Sequence, residues 1–104
     1  MSAQGERVEV AGVTVSTDHF IGGDRVASER RFDDISPVTG EKIAEVARAG
    51  EAEVDRAVRA AHDAFPEWAA LGPEGRAEHL RRLADLIEEH NDRLAAVECM
   101  DMAM

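Results

Sequence analysis

The chain has 104 residues, enough for one domain with a usable core. With 44% hydrophobic and 33% charged residues it reads as a globular protein and not as a disordered tail. A formal net charge of −10 repels phosphate backbones and anionic lipid, which makes nucleic acid and a membrane face poor partners.

Residues 1 to 7 are polar and expected to be loose, without the basic start and apolar run of a signal peptide. Val8, Val10, Val13 and Val15 nearly alternate around Gly12, which suggests a strand or hairpin in a lead-in covering residues 1–18. Ser16-Thr17-Asp18-His19 reads as a turn, since neighbours on an extended segment cannot converge as a nucleophile triad. Phe20 and Ile21 lead into a glycine hairpin turn at Gly22-Gly23-Asp24, and Arg25 and Val26 start the return. Ala27 to Arg31 is expected to be an exposed connection. Phe32 to Ile35 reads as the next strand, stopped at Ser36 by the following proline. After a turn at Val38-Thr39-Gly40, Ile43 to Val46 forms a short strand.

The period then changes from two to that of a helix. Val54, Ala57, Val58, Ala61 and Phe65 make one apolar stripe. Gly50 is the expected N-cap, with Glu51 and Glu53 on the positive end of the helix dipole. Pro66 is expected to mark the exit, with Trp68 and Leu71 filling a short connection. Gly72-Pro73-Glu74 restarts a helix with proline in its first turn, and Ala77, Leu80, Leu83, Ala84 and Ile87 line its face. An Asn or Asp cap at His90-Asn91-Asp92 starts a third helix through Leu94, Ala95 and Val97. Met100-Asp101-Met102-Ala103-Met104 carries no stop signal, so the chain reads as interrupted.

No constellation of residues carries chemistry. Gly22-Gly23 lacks the remaining glycines or the lysine of a phosphate cradle. His19, His62, His79 and His90 show no paired ligand spacing for zinc, and Glu88 to Asp92 lacks the central glycine of a calcium loop. Cys99, the single cysteine, excludes an intrachain disulfide and fits a reducing cytoplasmic compartment. Between Glu98 and Asp101 it is expected to be a buried structural thiol and not a nucleophile.

The order and spacing of these elements resemble the NAD(P)-dependent aldehyde dehydrogenase superfamily. Phe20-Ile21-Gly22-Gly23 and then Ile35-Ser36-Pro37-Val38-Thr39-Gly40-Glu41-Lys42-Ile43-Ala44-Glu45-Val46 are similar to that family's opening. The likeness continues through Glu53 to Ala61, Ala64 to Trp68, Leu83 to Glu88 and Leu94 to Glu98, so it covers residues 19 to 101. The His-Phe-Ile-Gly-Gly opening and the Cys-Met-Asp-Met-Ala ending look most like muconate-semialdehyde dehydrogenases of aromatic-compound breakdown. Broad-range and betaine-type enzymes are the competitors.

The resemblance implies an α/β fold: β-hairpin strands, then two or three amphipathic helices, together an outer part of a Rossmann-type cofactor-binding domain spanning residues 19–104. It implies NAD or NADP, an aldehyde substrate oxidised to a carboxylic acid, and a homo-oligomer for the complete enzyme. Catalytic and cofactor-binding positions of the family map to none of these residues, so this chain alone is expected to be inactive and to bind no cofactor. A structural monovalent-cation site of the family maps to the backbone at Asp34 and Ile35, with its acidic partner expected beyond Met104. The competing reading is a non-catalytic, acidic helical interaction module.

Overall fold

A computed structural model describes residues 6–102. The six strands are β1 (Arg7–Val10), β2 (Val13–Ser16), β3 (His19–Ile21), β4 (Asp24–Val26), β5 (Arg31–Ile35) and β6 (Lys42–Ala47). Three helices follow, α1 (Glu51–Ala70), α2 (Gly72–Glu89) and α3 (Asn91–Met102). Consecutive strands pair antiparallel, so the β layer is three separate two-stranded hairpins and not one continuous sheet. The expected loose lead-in falls partly on residues 1–5, outside the described residues; the valines after it form the first hairpin.

Two-residue turns set the first two registers. Ala11 (φ 50°) and Gly12 (φ 79°) join Val10 to its partner Val13, with both central residues at positive φ as the strand twist requires. Gly22 and Gly23 repeat this geometry between Ile21 and Asp24. The third hairpin turns at Ser36, whose Oγ accepts the amides of Val38 (3.2 Å) and Thr39 (3.3 Å). Its backbone closes the loop from both sides: Ser36 N–H donates to Glu41 O (2.9 Å) and Gly40 N–H to Ser36 O (2.9 Å).

The hairpins are tied together by a polar knot. Arg31 begins β5 and does not lie in an exposed connection: its Nη2 donates to Thr17 Oγ1 (2.7 Å) and, with Nη1, to Asp18 Oδ1 (3.2 Å). The Asp18 side chain is 1% exposed. Its other oxygen accepts the Glu6 amide (3.0 Å), and Ala47 N–H donates to Thr17 O (2.9 Å). Thr17 and Asp18 therefore do more than turn the chain; they are the acceptors that gather three hairpins. The buried apolar residues Val10, Ile21 and Ala47 sit in this β layer, beside buried Thr17, Asp18 and Ser36.

Helix α1 starts where the sequence places it. Gly50 is the N-cap, its amide donating to Glu53 Oε1 (2.9 Å), and Val54 N–H makes the first helical bond to Gly50 O (3.1 Å). The helix does not end at Pro66 but runs through it to Ala70, with Trp68 inside. Proline removes the N–H that would meet the carbonyl of His62, and that turn is exposed, so water can satisfy the carbonyl. The turn beyond is braced by α2: Arg76 Nη1 donates to Ala69 O (3.1 Å), and the His79 and Trp68 rings meet at 5.7 Å. Gly72, at φ 73°, is the left-handed residue that lets the chain reverse into α2. His90 alone separates α2 from α3, and its carbonyl, not an Asn or Asp side chain, takes the first bond, from Leu94 N–H (3.0 Å).

Among the described residues, no helical residue is buried. The radius of gyration is 16.4 Å, against roughly 13 Å for a compact domain of this length.

Candidate functional site

An open cleft of about 1300 Å³ lies between the β layer and the α2–α3 end of the helical layer. Valines of β2 and Phe32 form one wall; Ile87, Leu94 and Val97 form the other. Asp34 of β5 and Asp101 of α3 both open into it.

Strand β5 delivers Asp34 at an irregularity. The register passes from Asp34 opposite Ala44 to Ile35 opposite Lys42, so Ile43 is an extra residue and the ladder bulges. Partial burial first, then the neighbouring Asp101 carboxyl, push the Asp34 carboxyl above its ordinary value. Two oxygen-bearing acids and a bulged backbone form a hard-donor set suited to an alkali or alkaline-earth ion and unsuited to zinc. Among the described residues no group of three or more His, Cys, Asp or Glu side chains converges as a metal site.

The other candidates remain scattered. His79 packs on Trp68, and His90 Nδ1 lies 3.1 Å from Arg93. His19 Nε2 is buried without a hydrogen-bond partner. Cys99 is exposed on α3, which corrects the expected burial: α3 meets the β layer along Leu94 and Val97, and position 99 points away from that contact. The Arg31–Asp18 knot had no signal in the sequence, because its partners are 13 residues apart in segments read as turn and connection.

Among the described residues this arrangement brings no nucleophile against a base. Comparison with known proteins supplies the context. The aldehyde dehydrogenase family profile matches residues 25–104, and the chain belongs to that family. It is 44% identical over 87 residues to 5-carboxymethyl-2-hydroxymuconate semialdehyde dehydrogenase of Escherichia coli, a match covering 84% of this chain and 19% of that protein. The crystal structure of HpcC from Thermus thermophilus superposes with a TM-score of 0.79 at 40% identity, over 89% of this chain and 21% of that one. The P. syringae indole-3-acetaldehyde dehydrogenase AldA, solved as a mutant in complex with NAD+ and IAA, gives 0.79 at 36% identity, covering 86% and 19%. The chain therefore spans about a fifth of the length of these relatives.

Proposed function

We propose that the chain is an N-terminal segment of an NAD(P)-dependent aldehyde dehydrogenase that oxidises a semialdehyde of aromatic-compound breakdown to the carboxylic acid. The observation that carries this reading is the 44% identity to the E. coli semialdehyde dehydrogenase, held over 84% of the chain. Residues 19–104 are then an outer part of a Rossmann-type cofactor-binding domain, with residues 1–18 leading into it. In the complete enzyme, a cysteine outside this chain attacks the aldehyde, hydride leaves to NAD+ or NADP+, and water releases the acid from the thioester. This segment holds none of the reacting groups. Its contribution is architectural, including the Ile35 carbonyl and the Asp34–Asp101 acids as ligands of a structural monovalent cation. By family likeness the complete enzyme is a cytoplasmic homo-oligomer, and the acidic charge of this segment disfavours nucleic-acid and membrane partners.

The test is a chimera in which this chain replaces the matched fifth of the E. coli enzyme, assayed for NADH formation with that enzyme's semialdehyde. Turnover at a level comparable to the parent is expected. A folded, soluble chimera without turnover refutes the reading.

A further inference from the structure

Helices α1 and α2 each carry an apolar stripe that stays exposed among the described residues. On α1 it runs through Val54, Val58 and Phe65; on α2 it runs through Leu80, Leu83 and Ile87 and continues into the cleft, where Ile87 and Leu94 form a wall. Val58 is 63% exposed and Leu83 52%. Yet the elements themselves are complete: every strand is paired with its sequence neighbour, and α1 is capped through Glu53. The surface is formed before anything occupies it.

Its size identifies the kind of occupant. The accessible surface is 8031 Å², against about 5700 Å² expected for a folded monomer of 11.3 kDa. Even after deducting roughly 160 Å², an upper limit per residue, for each of the seven residues outside 6–102, an excess of more than about 1200 Å² remains. A stable interface of standard size covers roughly 800 Å² on each side, so this excess is in the range of permanent association. A second copy is a poor occupant, because from Glu51 onward acidic groups outnumber basic ones 13 to 6 and two such faces repel.

Building on the family reading above, we propose that the stripes of α1 and α2, with the cleft, are a preformed docking surface that accepts the remaining four-fifths of the aldehyde dehydrogenase fold even when it is supplied as a separate polypeptide. The occupant is a folded chain presenting apolar side chains to Val58 and Leu83, with a rim that is not acidic.

The experiment co-expresses this chain with the E. coli enzyme lacking its matched fifth and reads association by light scattering on a sizing column. A 1:1 complex is expected, with at least tenfold less apolar-dye fluorescence than the separated chains and with restored aldehyde oxidation. V58E and L83E should each weaken association at least tenfold, whereas V38E, on the Ser36–Gly40 turn and 75% exposed, should leave it unchanged. Circular dichroism of each variant chain alone checks that its helices persist. A free chain that is monomeric or dimeric and binds no dye overturns the proposal, as does failure to capture a folded remainder. If the covalent chimera is active while the separate halves ignore each other, docking in trans fails and the family reading stands. If the chimera too is folded and inactive, the family reading fails with it.

Discussion

Removing the guanidinium of Arg31 is the sharpest perturbation of this fold. Arg31→Met keeps much of the stem's bulk and deletes the donors to Thr17 Oγ1 (2.7 Å), Thr17 O (3.3 Å), Asp18 Oδ1 (3.2 Å) and Ser28 O (3.3 Å). Asp18, whose side chain is 1% exposed, then has, among the described residues, the Glu6 amide at 3.0 Å as its remaining side-chain partner. Removing one member of a buried ion pair costs about 3–5 kcal/mol, and the surviving amide bond places this case near 3. At about 1.4 kcal/mol per factor of ten, opening of the knot becomes roughly a hundredfold easier. Amide hydrogen exchange reads it directly, because the Thr17 amide bonds to Glu6 O (3.1 Å) and the Ala47 amide to Thr17 O (2.9 Å). Both should exchange about a hundredfold faster in Arg31→Met. The double variant Asp18→Asn/Arg31→Met should recover part of the loss, since no buried charge is stranded. A change below threefold, or a double variant worse than the single one, refutes the argument.

Two further outcomes follow from local features. Asp34 has its folded-state value raised, so its protonated form is favoured by folding. That contribution is fully present below the ordinary carboxylate range and is lost as the pH rises through the raised value. Asp34→Asn should therefore raise the melting temperature at neutral pH, with the gain shrinking on acidification; a gain that grows on acidification contradicts the assignment. Pro66→Ala restores the donor missing within α1 and should stabilise that helix by up to about 3 kcal/mol, seen as increased helical circular dichroism and slower exchange around His62. No change there means that the Pro66 turn is held by its α2 braces alone.

Element types were legible in the sequence wherever one residue dictates local geometry. Gly22-Gly23 announces a hairpin, Gly50 with Glu53 announces a helix start, and the period through Val54, Val58 and Phe65 shows which face is apolar. Pro66 misled because propensity argues from a single helix, whereas here the last turn is braced by Arg76 and His79 of the next. Cys99 misled because burial depends on which side of α3 meets the β layer, and helix spacing alone does not fix that side. The knot was invisible because Arg31, Asp18 and Thr17 carry no shared pattern; they meet only after three hairpins are stacked. Interest in the backbone of Asp34 and Ile35 came from family likeness alone, and that the Asp34 side chain shares a cleft with Asp101 depends on where α3 returns.

The tie between Thr17 and Ala47 has a consequence in time. Each hairpin closes through neighbours only a few residues apart, a process of about 1–10 μs. The bond from Ala47 to Thr17 and the reach of Arg31 to Asp18 instead span the whole β layer. As the chain is synthesised, the first two hairpins can already meet through Glu6, Thr17 and Asp18, and the third joins them as β5 brings Arg31 and then β6 brings Ala47. Only then does the layer become a single cooperative body, on which the helices that follow can be laid down in order.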